Sequence, residues 1–357
     1  MTSVKKTNQI LLIAASALLL LSAWTYQNSV KRAERFERGQ KFLPNLNPDE
    51  IARIEINKGN EQTVLRRAQD GERFDVASAD GYKAKNNNVN RLIKDVLEIE
   101  LEKEVGEGES LQKDLQLVAG EERDAETVEV ALIGSGGNDM VRFLVGKAFE
   151  SGGNYVRRID GDQKMIYLSS TRVFLTTDGD SFIDKDLLDV PRGDVARVAG
   201  TDFLFEKGED GSALALVDLP AGKKESAQAN QVKTVLQGLR FTKHYLADAP
   251  EVRGLRFDRQ LDITLDDGSA YLLESAQQGD KHYLRITGRH TSDQVSGGRI
   301  LMQPDATEEQ MQETSELMAR VDELQQFNVY HGSWVYEVTV NTADRVRATR
   351  ADLLEDA

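Results

Sequence analysis

Oxygen ligands crowd most closely in "DGDSFIDKD", where Asp178, Asp180, Asp184 and Asp186 stand within nine residues. Carboxylates at such density suit a hard cation such as Ca²⁺, which takes roughly six to eight oxygens. The stretch lacks the central glycine and closing glutamate of an EF-hand loop, so it reads first as a solvated turn and second as a calcium site. "SLQK", Ser110 to Lys113, has the S-x-x-K spacing of serine acyl-transfer enzymes, but their companion motifs are missing and no G-x-S-x-G elbow occurs. His244, His282, His290 and His331 stand apart, with no H-E-x-x-H and no carboxylate at zinc-ligand spacing. The sequence thus names no catalytic residue, no cofactor site, and no metal ligands beyond the four aspartates.

A different chemistry is offered by "GGNYVRR", in which adjacent Arg157 and Arg158 point to opposite faces of a strand. Arg157 aligns with Arg285 of "HYLRITG", and an arginine at two equivalent positions could bind a carboxylate or pair internally across a sheet. "GSGGN" at Gly134 and "AGKKES" at Ala221 match neither G-x-G-x-x-G nor a phosphate-cradling loop, and both read as connections. Lys31, Arg32, Arg35 and Arg38 recur at three- and four-residue spacings, fitting either an ordinary linker or contact with anionic headgroups.

Composition narrows the classes. The 357 residues carry 45 Lys+Arg against 60 Asp+Glu, a net charge of -15 that opposes phosphate binding, so nucleic acid is not an expected partner. Cysteine is absent, which removes disulfides, thiolate metal sites, a cysteine nucleophile and a lipidated cysteine.

The elements that must position these residues begin with "ILLIAASALLLLSAW", an uncharged run from Ile10 to Trp24 behind Lys5 and Lys6. As a helix it spans about 22 Å, short of the ~30 Å hydrocarbon layer unless Trp24 and Tyr26 seat its end. Leu21-Ser22-Ala23 fits the small-x-small cleavage pattern poorly, so retention as a signal-anchor over 10–26 is expected, with cleavage as the rival. The basic residues that follow the run argue for a cytoplasmic body by the positive-inside rule, whereas the lysine pair before it has the layout of an export signal.

Beyond a 1–9 tail, the anchor and a 27–47 juxtamembrane linker, the chain repeats itself. "EIARIEI" at Glu50 resembles "DVARVAG" at Asp194, and "TVLRRAQDG" resembles "FLFEKGEDG". A helix follows in each copy, on Val89, Leu92, Ile93, Val96 and Leu97 in one and on Val232, Val235, Leu236 and Leu239 in the other, with Asn86 to Asn88 as the cap of the first. Alternating runs such as "TVEVALIG", "MVRFLVG", "QLDITLDDG" and "AYLLESA" supply half-buried strands. The acidic stretch Glu100 to Glu126 reads as solvated surface. A helix over Ala306 to Leu324, the strand "GSWVYEVTV" and a short charged helix close the chain. The expected fold is α+β: an N-terminal transmembrane helix, then two tandem, weakly repeated units with mainly antiparallel sheets at 48–190 and 191–357.

The ordered set "LNPDEIARIEI", "FLVGK", "GGNYVRR", "MIYLSS", "FIDKDLLDVPRGDVARV", "WVYEV" and "RADLL" resembles the domain of unknown function (DUF) 4340 family. Phe74 and Phe182 stand where that family often carries tryptophan, which keeps a large ring but loses the indole donor. The resemblance implies a bacterial inner-membrane protein with a periplasmic body, associated with a gliding-motility-type ABC permease, its ATPase and an auxiliary subunit. It implies no catalytic residues. The expected function is therefore a non-enzymatic accessory or scaffold component, the alternatives being an envelope hydrolase whose carboxylates are assembled by the fold, or a calcium-dependent surface module.

Overall fold

The computed structural model describes residues 18–25, 36–69, 71–150, 152–161, 164–208, 213–293, 295–296, 299–300 and 307–357. Residues 18–25 are helical (α1), and Leu18 to Leu21 and Trp24 are exposed. The rest of the expected 10–26 anchor lies outside the described residues, among which no helix is long and apolar enough to cross a membrane. The chain divides into two compact units, Met1–Asp184 and Lys185–Ala357.

Unit 1 runs through β1 (Ile51–Lys58), β2 (Glu61–Arg67), β3 (Phe74–Val76), β4 (Tyr82–Lys83), α2 (Asn86–Leu97), β5 (Leu101–Gly106), α3 (Glu109–Asp114), β6 (Val128–Gly134), β7 (Asp139–Ala148), β8 (Asn154–Arg158) and β9 (Ile166–Ser169). The strands form one antiparallel sheet in the order β4-β3-β2-β1-β6-β7-β8-β9-β5. Val89, Leu92, Ile93 and Val96 are buried on one side of α2, the i, i+3, i+4, i+7 stripe of a helix packed on a sheet. Each such side chain contributes roughly 1.5–3 kcal/mol when fully buried. The cap of α2 is the backbone of Lys85, not an asparagine, which leaves Asn88 for another task.

Unit 2 runs through β10 (Asp186–Leu188), β11 (Val195–Ala199), β12 (Leu204–Glu206), β13 (Ala215–Leu216), β14 (Lys223–Glu225), α4 (Ala227–Lys233), β15 (Leu239–Arg240), β16 (Lys243–Leu246), β17 (Phe257–Leu265), β18 (Ser269–Gln278) and β19 (Lys281–His290). It continues with β20 (Val295–Ser296), β21 (Arg299–Ile300), α5 (Glu308–His331), β22 (Trp334–Val338), α6 (Val340–Arg347) and β23 (Leu354–Asp356). Its large sheet, also antiparallel, has the order β13-β12-β11-β17-β18-β19-β22-β16. That is the unit 1 path β3-β2-β1-β6-β7-β8-β9-β5 with each strand replaced by its counterpart.

The correspondence reaches further upstream than the sequence repeats. In unit 1 the segment before β1 lies along the sheet's edge: Lys41 bridges Glu100, and the Phe42 amide donates to the Ile99 carbonyl. In unit 2, β10 does the same against β15, and the Phe241 amide donates to Lys185. Phe42, Leu43 and Leu187 are buried, so the last part of the expected 27–47 linker is core. α4 stops at Lys233, with Val235 and Leu236 buried in the turn beyond it. α5 begins at a Thr307/Gln310 capping box and runs to His331, seven residues past the expected Leu324.

Candidate functional site

After β9 the chain crosses unit 1 as an irregular arch, Ser170 to Asp184, and its shape is fixed by polar side chains reaching it from the sheet and helix. The Val173 amide donates to Asn154 Oδ1 at 3.0 Å, while Asn154 Nδ2 donates to the Gly146 carbonyl at 3.0 Å. Ser169 Oγ donates to the Thr171 carbonyl, and Thr63 Oγ1 to the Thr177 carbonyl, each at 2.7 Å. Asn88 Nδ2 donates to the Ser181 carbonyl at 2.7 Å, the task left open by its absence from the cap. Glycines make room for this scaffold. A Cβ on Gly146 would strike the Leu115 carbonyl oxygen, and one on Gly153, at φ +81°, would strike the Ser169 carbonyl oxygen. The "FLVGK" and "GGNYVRR" stretches are thus explained by backbone approach and by Asn154.

Held this way, the arch presents Phe174 to solvent, 77% exposed. Two grooves meet there. One, of about 580 Å³, lies among Lys41, Asp95, Glu98, Glu100, Arg172 and Phe174. The other, of about 420 Å³, lies among Asn88, Arg91, Leu92, Asp95, Phe174 and Phe182. Asp95 and Phe174 line both. Lys41 is paired with Glu100 at 3.1 Å. Single exposed apolar residues are ordinary, and Phe174 differs from these in standing at the junction of two concavities.

The residues singled out from sequence lie elsewhere or serve the frame. Asp178 caps the turn Gly179–Phe182 by accepting from the Asp180 amide at 3.0 Å. Asp184 faces Lys83 at 3.4 Å, and Asp186 pairs with Arg240 at 2.8 Å. Among the described residues no group of three or more histidines and carboxylates could hold a metal ion. Arg157, 8% exposed, donates through Nε and Nη2 to the Leu117 carbonyl at 3.1 and 2.8 Å, and burial pulls its guanidinium below the ordinary value. Arg285 lies 4.2 Å from the centre of the Phe257 ring. Arg157 thus ties the connection between α3 and β6 to β8, whereas Arg285 stacks on the first residue of β17. Ser110 and Lys113 sit on α3, and Lys113 faces Glu122 at 3.9 Å. His331 Nδ1 is 2.6 Å from the Tyr336 hydroxyl, while His290 contacts the Asp267 carbonyl.

Unit 2 carries a compact polar group. The Tyr245 hydroxyl donates to Glu337 Oε2 at 2.7 Å, and Lys281 Nζ stands 3.1 Å from the same oxygen. Burial and then the bond to Glu337 push the phenol up to about 12. Burial also pushes the Glu337 carboxyl up, but hydrogen bonds from Tyr245 and Lys281 outweigh it and leave the group below its ordinary value. A phenol held in its neutral form and bonded to Glu337 ties β16 to β22.

The family model described as Domain of unknown function (DUF4340) matches residues 75–276, more than half of the chain and part of both units. The chain belongs to this family. No curated protein and no solved structure matches it. In this DUF4340 protein Phe74 and Phe182 are buried rings at 4% and 2% exposure. Phe182 also lines the smaller groove, so its volume shapes the site.

Proposed function

We propose that this chain is a non-enzymatic, membrane-anchored accessory or scaffold protein of the bacterial inner membrane, whose periplasmic body docks other envelope proteins, ABC permease and ATPase components foremost. The observation that carries the reading is Phe174, an exposed ring fixed by Asn154 and its neighbours between two grooves. Exposed Leu18 to Leu21 and Trp24 on α1 support the anchor, because a helix apolar on every side is suited to lipid. The transporter association rests on the family resemblance.

The test is purification of the full chain through a C-terminal tag from mildly solubilised membranes, with mass spectrometry of what accompanies it. Permease and ATPase subunits at near-stoichiometric amounts are the expected result; the protein alone would sink the scaffold reading. Topology is read separately from Ala221→Cys, an exposed position in a chain with no other cysteine. A membrane-impermeant thiol reagent labels it in intact spheroplasts if the body is periplasmic, and only after lysis if it is not.

A further inference from the structure

The two units treat the same stretch of chain differently. In unit 1 the Lys85 amide, just before α2, donates to the Phe182 carbonyl at 2.7 Å; in unit 2 the Ser226 amide, just before α4, donates to the Leu353 carbonyl at 2.9 Å. Ala84 bridges Ile183 as Glu225 pairs with Leu354. These two ties align Phe182 and Ile183 with Leu353 and Leu354, and so the arch with the stretch that follows β22. Between the last strand and these ties, unit 2 forms α6, an amphipathic helix with Ala343 and Val346 buried and Arg345 and Arg347 in its last turn. Unit 1 has no helix there: the arch is extended, and the grooves beside Phe174 lie between it and α2.

We infer that these grooves receive a short amphipathic helix of a partner membrane protein, which lies beside α2 as α6, seated on β17, β18 and β19, lies beside α4. The inference deepens the scaffold reading and rests on it. An eight-residue helix is about 12 Å long, a compact ligand for paired concavities of this kind. Phe174 offers an exposed apolar contact, and Leu92 and Phe182 form the buried floor of the smaller groove beside it. Asp95 and Glu98 on the α2 wall suit a basic last turn, and Arg172 on the arch suits an acidic residue earlier in the helix. The groove also begins at Lys41, only 16 residues beyond the end of α1 at residue 25, a span of at most about 58 Å of extended chain. With α1 as the anchor, the site stays within reach of the juxtamembrane helices of a neighbouring protein.

The experiment places the photo-cross-linker p-benzoylphenylalanine at position 174 of the full chain in native membranes, with a control at Leu219, an exposed residue of unit 2. The expected result is a cross-link from position 174 to one membrane protein, mapping by peptide sequencing to an amphipathic helical segment. The control should give none, and Asp95→Arg should reduce the yield at least tenfold with the melting temperature unchanged. Cross-links only to lipid, only to a second copy of this chain, or none at all, while the tagged protein still brings its partners through purification, overturn the groove and leave the scaffold reading standing. If nothing accompanies the tagged protein, both fall.

Discussion

Units 1 and 2 trace one path through eight strands, yet they differ in what is laid over the helix on that sheet. In unit 2 the chain lays its own α6 on β17, β18 and β19 beside α4 and ties the end down through β14 and β23. In unit 1 the matching stretch is an arch that leaves α2 flanked by grooves and Phe174 in solvent. Unit 2 also carries the insertion between β19 and β22 that contains α5, whereas β8 and β9 are joined by a short connection. The duplicated sheet has kept its pairing because a one-residue slip would turn every buried side chain outward. The cover has no such constraint, and the two copies differ there.

The comparison can be broken first at the helix. Lys233 of α4 is buried on a helix whose counterpart, α2, buries only apolar side chains; it is paired with Glu225, and its Nζ is 4.8 Å from the centre of the Phe205 ring. Lys233→Ala should lower stability by about 3–5 kcal/mol in urea unfolding, because Glu225 is left without its partner. Lys233→Met with Glu225→Gln should recover most of that loss. If the single variant is as stable as the parent, the buried pair is not what holds α4.

Next come the equivalent arginines. Arg157→Ala removes both donors from the buried Leu117 carbonyl and should cost about 1–3 kcal/mol. Arg285→Ala removes only stacking on Phe257 and should cost about 0.5–1 kcal/mol. Equal losses would mean the two arginines are interchangeable.

The Tyr245–Glu337 tie gives a pH signature. Since the folded phenol titrates at about 12 and the unfolded one near 10, its contribution is complete below pH ~10 and is lost as pH rises through about 12. Glu337 acts with the opposite sign: its folded value is lowered, so its contribution is present above pH ~4.5 and is lost as pH falls through the folded value. Tyr245→Phe should flatten the alkaline limb of stability against pH, followed by circular dichroism, and an unchanged limb would contradict the tie. The smallest expected effect on stability is at the site itself: Phe174→Asp should change it by less than about 0.5 kcal/mol, because the ring touches solvent more than core.

Alternation and the helical stripe made the strands and α2 legible in the sequence, since both encode burial by period. The start of each unit was hidden because Phe42 and Leu43 sit among charges and prolines that read as linker. The acidic stretch hid β5 and buried Leu117 for a similar reason: edge strands are bounded by charge, and one apolar residue makes no period. Phe174 was illegible altogether. In "RVFLTTDG" nothing marks it as exposed, and its setting depends on ties of the arch to residues distant in sequence, such as Asn154 to the Val173 amide. Arg157 and Arg285 could be paired from the alignment of "NYVRR" with "HYLRI", but what they touch depends on chain that crosses from elsewhere.

The central claim is that unit 1 docks a partner through the arch. Its most direct test compares Phe174→Asp with Leu219→Asp, an exposed residue of unit 2, in tagged full-length protein purified from membranes. The account predicts at least a tenfold loss of co-purifying permease and ATPase subunits for the first and parental amounts for the second. Parental amounts for both would contradict it.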